Sequence, residues 1–249
     1  MADLALVMPM AGRGSRFAAN GVGVPKPLIH VAGKPFFWWA VESVRRRVAL
    51  REALFVVLRE HVEAHAIDRA ILQHYPDARI VAIDKPTDGA AETAAIGVAA
   101  LAAEGPVAIN DCDHAFHARD LPALVAAMAD GAAGALVGFR SNDPAYSYVR
   151  LADDGTVIGT VEKQVVSPFA IAGCYLFAGP GLFAETLAAY RAVCPYDELF
   201  VSGLANILCD RGDRILFQPL VEHRSFGTPR ELAAIDPSQL MPIVAGQPL

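Results

Sequence analysis

The sequence predicts an α/β fold, in which a mixed, mostly parallel central sheet is flanked by helices. Over residues 4–139, short apolar segments alternate with segments whose apolar residues recur at helical spacing. This pattern is typical of a parallel sheet that is covered on both faces. After residue 140 a hairpin pattern interrupts the alternation. We therefore expect a single domain over residues 1–249, with a first half at 1–140 and a second half at 141–249.

Apolar runs and helical periodicity predict the elements in chain order. Strands are predicted at residues 4–8, 53–58, 79–83, 106–109, 135–139, 170–177 and 214–219, with a hairpin over 146–163. Helices are predicted at residues 36–48, 65–74, 92–103, 120–129, 181–192, 198–211 and 229–235. Trp38 and Trp39 on the first long helix are expected to pack in the core. The alternative, that one of them faces a second subunit, would make the protein a homo-oligomer.

The composition is that of a globular, soluble protein. Of 249 residues, 54% are apolar and 19% are charged, and the net charge is −6, which excludes a disordered chain and argues against nucleic acid as a partner. No basic signal-peptide region is present at the N-terminus. Pro and Gly interrupt the uncharged stretch 164–184, which argues against a membrane span. Four cysteines without metal-ligand spacing indicate free thiols, and we expect a cytoplasmic protein.

A glycine-rich loop follows the first predicted strand, where residues 8–27 read MPMAGRGSRFAANGVGVPKP. Backbone N–H groups over 12–15 can approach an anion closely, and Arg16 offers a fork of donors to phosphate oxygens. Lys26 is restricted by a proline on either side. The loop lacks the third glycine of the dinucleotide fingerprint and the GK[ST] ending of a P-loop. An ordinary tight turn is the alternative, but three cations at one loop of an acidic protein favour a bound polyanion.

Asp111 and Asp113 follow a predicted central strand. Alternation along an extended chain places both side chains on one side, beyond the carboxyl end of the strand, where open α/β sheets bind ligands. Two carboxylates suit a hard cation such as Mg²⁺. The alternative is a solvated turn with capping aspartates. His114 and His117 lie nearby, but the spacing offers no third ligand for a zinc site.

The motif GxGSRF followed by PKPL resembles the N-terminal signature of nucleotidyltransferases, which join a nucleoside triphosphate to a sugar 1-phosphate or a related phosphomonoester. Phosphocholine-type cytidylyltransferases are among the enzymes it resembles. The segments at 86–93, 161–163 and 172–175 are similar to later landmarks of this family, so the resemblance covers nearly the whole chain. It implies a Rossmann-like GT-A nucleotidyltransferase fold, Mg²⁺ as cofactor, and an NTP and a small phosphorylated acceptor as partners.

The resemblance also implies which residues form the sites. The nucleotide site would comprise Met10, Ala11, Gly12, Arg13, Gly14, Ser15, Arg16, Lys26, Pro86, Gly89, Ala90 and Asp111. The acceptor site would comprise Asp113, Tyr146, Ser147, Glu162, Lys163 and Gly173. The metal would be held by Asp113, with Asp111 as the weaker candidate. The catalytic residues would be Arg16, Lys26, Asp113 and Lys163.

The cap of the helix near residue 90 and two departures from the family pattern leave alternatives open. Local chemistry predicts that Thr87 or Asp88 caps the following helix, whereas in the resembling family Gly89 leaves room for the nucleobase. Many sugar-nucleotide members carry a second metal-binding aspartate where this chain has Ser225, and a proline where it has Gln164. These departures leave the second metal carboxylate and the acceptor open, and the sequence does not choose among CTP, dTTP and UTP.

The implied reaction transfers a nucleoside monophosphate to the acceptor phosphate with release of pyrophosphate. The second pKa of a phosphomonoester is about 6, so the attacking phosphate is mostly ionised and requires no general base. Catalysis would depend on positioning and on neutralising charge. Two alternatives use the same fold: a GT-A glycosyltransferase that holds a nucleotide-sugar through Asp111-Cys112-Asp113, and a non-catalytic nucleotide-sensing module. The GxGSRF loop disfavours the first, and the set Arg16, Lys26 and Asp113 disfavours the second.

Overall fold

The computed structural model describes residues 3–246, within which thirteen strands and ten α-helices are formed. The strands are β1 (Asp3–Met10), β2 (His30–Val31), β3 (Lys34–Pro35), β4 (Ala49–Leu58), β5 (Arg79–Ile83), β6 (Val107–Asn110), β7 (His114–His117), β8 (Gly134–Arg140), β9 (Ser147–Leu151), β10 (Val157–Glu162), β11 (Phe169–Phe177), β12 (Ile215–Pro219) and β13 (Glu222–Ser225). The helices are α1 (Ser15–Ala18), α2 (Phe36–Arg45), α3 (Arg59–His65), α4 (Ile67–His74), α5 (Ala90–Ala99), α6 (Leu121–Ala129), α7 (Pro180–Val193), α8 (Leu204–Asp210), α9 (Pro229–Ala233) and α10 (Pro237–Ala245). Short 3₁₀ turns occur at Lys26–Leu28 and Val201–Gly203.

Nine of these strands form one mixed sheet, in the order β10-β9-β11-β6-β1-β4-β5, with β8 paired to β11 and β12 paired to β8. The strands β6, β1, β4 and β5 run parallel to their neighbours in this series. β11 is antiparallel to β6 and β8, and β9 and β10 form an antiparallel hairpin. The predicted α/β fold with a mixed, mostly parallel sheet flanked by helices is confirmed.

The two faces of β1 bury alternate residues in different layers of the core. Leu4, Leu6 and Met8 are fully buried in a cluster that includes α2, whereas Ala5 and Val7 are buried in a cluster that includes α5. This alternation is what a strand covered on both faces requires. The central strand is thereby fixed, and its carboxyl end presents the glycine loop.

Two buried hydrogen bonds tie α2 to the segment that carries the predicted metal site. The Asn110 side-chain amide donates to the carbonyl of Ala40 over 3.0 Å, and the backbone N–H of Phe116 donates to the Ser43 hydroxyl over 2.9 Å. Because β6 ends at Asn110 and β7 begins at His114, these bonds bracket the turn at 111–113. The turn is therefore anchored to α2 on either side.

Trp38 and Trp39 are both buried in the core, as the sequence predicts. The indole N–H of Trp39 donates to the carbonyl of Val31 over 3.0 Å, which satisfies its polar atom. A role of Trp38 or Trp39 in an oligomer interface stays a prediction. All four cysteines are free: Cys112, Cys174, Cys194 and Cys209. Within residues 3–246, the helices are too short or too polar to cross a lipid bilayer.

Several predicted boundaries are wrong. The predicted helix 65–74 corresponds to α4, which begins at Ile67, and the preceding helix α3 was not predicted. The two helices meet at Ala66, which has a left-handed conformation with φ +51°. The predicted helices 36–48, 92–103 and 198–211 are shorter, at α2, α5 and α8. The short strands β7 and β13 and the helix α10 were not expected. β13 reads Glu-His-Arg-Ser and has no apolar alternation that could reveal it.

Candidate active site

Two pockets meet at the carboxyl ends of β1 and β6. The larger has a volume of about 440 Å³ and the smaller about 190 Å³, and both are lined by Asp111 and Asp113. The larger pocket is lined further by Pro9, Met10, Ala11, Gly12, Gly14, Lys26, Pro27, Pro86, Thr87, Asp88, Gly89, Ala90, Thr93, Cys112, Asp197 and Glu198. The two aspartates therefore stand at the junction where one ligand could pass a group to another.

The glycine loop forms one wall of the larger pocket. Gly14 has φ +60°, and a Cβ atom there would lie 3.1 Å from the Cβ of Lys26, so the loop packs tightly on this lysine. Arg16 lines the smaller pocket instead. Arg13 has a side chain that is 70% exposed, and its nearest charged partner is Glu60 at 3.9 Å. The structure therefore brings Gly14 and Lys26 together and leaves Arg13 outside both pockets.

Lys26 and Asp113 form an ion pair, in which Lys26 Nζ donates to Asp113 Oδ2 over 2.8 Å. The side chains are 28% and 19% exposed. Burial alone would raise the pKa of the Asp113 carboxyl, but the charge and the hydrogen bond of Lys26 lower this pKa below its usual value. Asp113 is therefore a carboxylate at neutral pH.

Asp111 differs from Asp113 in its protonation. Burial, reinforced by the negative charge of Asp113, raises the pKa of the Asp111 carboxyl to about 7, although Lys26 opposes the shift. The carboxylate is seated against Gly173, where a Cβ atom would approach Asp111 Oδ2 to 2.6 Å. The backbone N–H of Asp111 also donates to the carbonyl of Gly173 over 2.8 Å. Near neutral pH, Asp113 is therefore ionised, whereas Asp111 is about half protonated.

The smaller pocket is polar on most of its wall. Its lining residues beyond the two aspartates are Arg16, His114, Asp143, Ala145, Tyr146, Ser147, Ile171, Ala172, Gly173, Tyr175, His223, Ser225, Gly227, Thr228, Arg230 and Glu231. Arg230 pairs with Asp143 over 2.7 Å. The Glu231 carboxylate accepts hydrogen bonds from the hydroxyls of Tyr146 and Thr228. Glu231 therefore presents a held carboxylate to this pocket.

The two histidines of the smaller pocket are neutral at physiological pH. Burial lowers the pKa of His114 to about 4 and that of His223 well below its usual value. His114 Nε2 lies 3.1 Å from Asn110 Oδ1, and the His223 ring stacks on Phe139 with centroids 3.9 Å apart. These rings shape the pocket without adding positive charge.

Glu162 and Lys163 lie outside the smaller pocket, in a groove of about 340 Å³ that also shares Asp197 and Glu198 with the larger pocket. The Glu162 carboxylate accepts hydrogen bonds from the hydroxyls of Ser147 and Ser202. The Lys163 ammonium lies 5.0 Å from the ring centroid of Phe200. Both residues still touch the wall of the smaller pocket from behind, since Glu162 binds Ser147 and the N–H of Lys163 donates to the carbonyl of Tyr146 over 3.0 Å. Of the predicted acceptor residues, Tyr146, Ser147 and Gly173 line the smaller pocket, whereas Glu162 and Lys163 line the adjoining groove.

The segment before α5 is clasped by the second half of the chain. The N–H of Leu199 donates to Asp88 O and the N–H of Ala91 donates to Leu199 O, each over 2.9 Å. A Cβ atom at Gly89, whose φ is +153°, would lie 2.5 Å from Leu199 N and O. Gly89 itself is the N-cap, without a side-chain capping bond, so the prediction of Thr87 or Asp88 as the cap is wrong.

The donor set of this junction fits a magnesium ion. Within residues 3–246 no cluster of three or more histidine, cysteine, aspartate or glutamate side chains could hold a metal, so the chain offers the pair Asp111 and Asp113. Mg²⁺ prefers oxygen ligands, and it is commonly bound by one or two carboxylates plus water and substrate phosphates. Ser225 lines the smaller pocket as a hydroxyl. The remaining ligands would come from phosphate and water.

Sequence reasoning did not identify Glu231, Arg230 or His223 as site residues. Thr228 and Glu231 form the pattern T-x-x-E, in which the Thr228 hydroxyl accepts from the Glu231 N–H at the start of α9. That pattern signals a helix start, so it explains a glutamate at this position without indicating a pocket. Contacts 85 residues apart in the chain, such as Tyr146 with Glu231, have no local signal.

Comparisons with known proteins agree with this architecture. The family model of the MobA-like NTP transferase domain matches residues 6–189. The bifunctional protein GlmU of Azorhizobium caulinodans is 30% identical over 175 residues, which cover 65% of this chain and 35% of that protein. The match thus spans about a third of the relative's length.

Two solved structures share the fold. A nucleoside-diphosphate-sugar pyrophosphorylase from Vibrio cholerae RC9 superposes with a TM-score of 0.78 at 24% identity, over 92% of this chain and 98% of that chain. A protein of Bacillus anthracis described as a glucose-1-phosphate thymidylyltransferase, in complex with a sucrose, gives 0.74 at 15% identity, over 100% of this chain and 97% of that chain. At these identities the likeness is one of fold.

Proposed function

Because this chain belongs to the family of MobA-like NTP transferase domains, we propose that it is a nucleotidyltransferase. It transfers a nucleoside monophosphate from an NTP to a small phosphorylated acceptor, of the sugar-phosphate type, and releases pyrophosphate. The observation that carries this proposal is the junction of two pockets at Asp111 and Asp113, with Lys26 bound to Asp113. Two substrates and one group transfer require such a junction.

The larger pocket takes the nucleotide. Its volume of about 440 Å³ lies in the range of ligand pockets. The glycine loop at 12–14 offers backbone donors to the phosphates, and residues 86–90, just before α5, also line the pocket. Lys26 packs against Gly14 of this loop and is paired with Asp113. We assign the base to the side of Pro86 and Gly89, and the α-phosphate to the side of Lys26.

Asp111 and Asp113 would hold Mg²⁺ in this site, where the ion would neutralise phosphate charge and polarise the transferred phosphoryl group. Lys26 supplies a further positive charge to the phosphates. The backbone of Gly173 packs closely against the Asp111 carboxylate. This contact positions the carboxylate, and residue 173 has no side chain that could bind it. The contribution of the protein is therefore positioning and electrostatics, as in phosphoryl transfer generally.

The smaller pocket takes the acceptor. Arg16 is the cation of this pocket that has no ion-pair partner among residues 3–246, whereas Arg230 is bound to Asp143. We therefore assign the acceptor phosphate to Arg16, at the aspartate end. Glu231 and Tyr146 lie on the wall of this pocket and suit the hydroxyl groups of a sugar-like acceptor. An oxygen of the acceptor phosphate attacks the α-phosphorus in line with the leaving pyrophosphate. Because the second pKa of a phosphomonoester is about 6, this phosphate is mostly ionised and needs no general base.

The roles of Glu162 and Lys163 stay predictions. Glu162 has its carboxylate bound to two serine hydroxyls, and Lys163 stacks over Phe200 in the neighbouring groove. A contact between Lys163 and the acceptor phosphate requires the ammonium to leave that ring. The choice among CTP, dTTP and UTP is likewise part of the proposal.

The test is release of pyrophosphate in a matrix of substrates. The full chain is incubated with Mg²⁺, one NTP at a time, and a panel of sugar 1-phosphates and other phosphomonoesters. We expect release that depends on both the NTP and the acceptor, and that is lost in Asp113→Asn. A parallel incubation supplies nucleotide-sugars in place of the NTP, and their consumption without pyrophosphate release in either incubation would indicate a glycosyltransferase. Binding of NTP without any release would indicate a sensing module, and either result contradicts the proposal.

A further inference from the structure

We propose that Lys26 is the resident counter-ion of Asp113 in the ligand-free protein, so that the site binds a divalent cation well only together with a polyphosphate. This inference rests on the proposed function and concerns the order in which ligands occupy its site. It predicts that the bare cation binds weakly because it must first displace an ammonium group. The polyphosphate supplies the displaced ammonium with a new anionic partner.

The geometry holds the ammonium in place. Lys26 Nζ lies 2.8 Å from Asp113 Oδ2, and both side chains are mainly buried. The lysine begins a 3₁₀ turn between two prolines, of which Pro27 is buried. Its Cβ also packs against the backbone of Gly14. Water and salt screen an exposed ion pair. The pair of Lys26 and Asp113 is mainly buried, and the backbone around Lys26 is restrained, so we expect the pair to persist in the ligand-free protein.

The oxygen that pairs with Lys26, Asp113 Oδ2, is also closed from a second side. A Cβ atom at Gly227 would overlap Asp113 Oδ2, so the backbone of residue 227 lies directly against this oxygen. The N–H of Phe226 also donates to the carbonyl of Asp113 over 2.9 Å. Asp113 Oδ2 is therefore enclosed between the Lys26 ammonium and the backbone of the loop before α9. A cation that uses this oxygen has to take the place of the ammonium.

Charge decides the outcome of that exchange. Asp111 and Asp113 can contribute two negative charges when both are ionised, and Lys26 contributes one positive charge. A divalent cation added alone leaves a net positive centre, with Lys26 and the metal repelling each other at short range. A triphosphate in the larger pocket, which Lys26 also lines, reverses the sign of that balance. The metal and the polyphosphate therefore bind with positive coupling.

The first test measures Mn²⁺ binding to the full chain without nucleotide, by electron paramagnetic resonance of free Mn²⁺ or by calorimetry. Lys26→Met removes the counter-ion. Lys34→Met is the matched control, because it removes one lysine charge whose ammonium lies over the ring of Trp38 rather than beside Asp113. We expect Lys26→Met to bind Mn²⁺ about ten- to a hundredfold more tightly than the wild type. Lys34→Met should bind as the wild type does. Adding Asp113→Asn to Lys26→Met should remove the gain.

Equal or weaker Mn²⁺ binding by a folded Lys26→Met variant, as judged by circular dichroism, overturns the inference. Since loss of Lys26 leaves a buried carboxylate unpaired and could unfold the chain, a second measurement uses the wild type alone. Its thermal midpoint is recorded with Mn²⁺, with inorganic pyrophosphate, and with both. We expect the shift with both to exceed the sum of the two single shifts. A shift with Mn²⁺ alone that equals the shift with both, or no shift with both, also overturns it.

The two proposals fail in different measurements. Absence of pyrophosphate release with every NTP and acceptor contradicts the proposed function and leaves the Mn²⁺ result standing. Catalytic turnover combined with strong binding of Mn²⁺ alone contradicts the counter-ion role and leaves the function standing.

Discussion

Gly227 lies against the carboxylate of Asp113, so closely that a Cβ atom at residue 227 would overlap Asp113 Oδ2. Gly173 stands in the same relation to Asp111, at 2.6 Å. The two aspartates belong to the first half of the chain and the two glycines to the second. The candidate metal site is therefore shaped by close packing between the two halves of the chain. This packing requires that residues 173 and 227 carry no side chain.

Changing Gly227 to alanine should disable the site. The added methyl group pushes the Asp113 carboxylate out of place, and a displacement of about 1 Å at a reacting centre costs about a hundredfold in rate. We expect kcat for pyrophosphate release to fall by about that factor. Gly181→Ala is the matched control, because a Cβ atom there meets no neighbour within 4 Å. An unchanged kcat in Gly227→Ala would show that the close approach does not matter.

Replacing Lys26 by alanine should lower turnover and stability together. The phosphates lose a cation worth about a hundredfold or more in kcat, and Asp113 loses its partner at 2.8 Å. The thermal midpoint should fall, and circular dichroism should still show a folded chain. Lys34→Ala serves as the control. Wild-type rates of pyrophosphate release in Lys26→Ala would refute the role assigned to this lysine.

Glu231→Gln should weaken binding of the acceptor but not binding of the NTP. An amide in place of the carboxylate cannot accept from both Tyr146 and Thr228 as now observed, and the wall of the smaller pocket is disturbed. We expect KM for the acceptor to rise about tenfold, the scale of one charged hydrogen bond, with KM for the NTP unchanged. Initial rates at varied acceptor concentration measure this. Glu162→Gln, which changes a carboxylate outside that pocket, should have the smaller effect; the reverse ranking would restore Glu162 as the acceptor residue.

Asp111→Asn should change how stability depends on pH in the metal-free protein. The folded-state pKa of Asp111 is raised from its usual 3.8 to about 7, so the native carboxyl holds its proton more tightly than the unfolded one. The wild type should therefore lose free energy of unfolding as pH rises from about 4 to about 7, through this group. Urea unfolding with a chelator present measures the effect, and the loss should be absent from Asp111→Asn. Parallel pH profiles of the two proteins would contradict the assignment.

Local signals made much of the fold predictable. The apolar runs at β1, β6 and β11 were correctly predicted as strands, because burial on both faces leaves an apolar run that is visible in the sequence. The glycine loop was predictable from its own composition, because its glycines and cations all lie within twenty consecutive residues. β7 and β13 were missed because polar residues pair at both ends of their short ladder, Glu222 with His117 and Ser225 with His114.

The candidate site was predictable only in part. Lys26 and Asp113 lie in recognisable local motifs, although their separation by 87 positions in the chain hides their contact. Lys163 was expected at the acceptor because it follows a glutamate in a familiar motif, but its neighbour in the fold is Phe200, which no local pattern connects to it. Glu231 was hidden by its capping motif. What the sequence could not supply was packing between segments distant in the chain.

The clasp between Leu199 and the segment at 88–91 has a consequence for any attempt to divide the protein. Two backbone hydrogen bonds hold the nucleotide-side segment to a residue over a hundred positions later. A fragment ending at residue 140 would retain the glycine loop but lose this clasp and the sheet partner β11. We expect such a truncation to bind no NTP and to regain binding only when the remainder is supplied in trans.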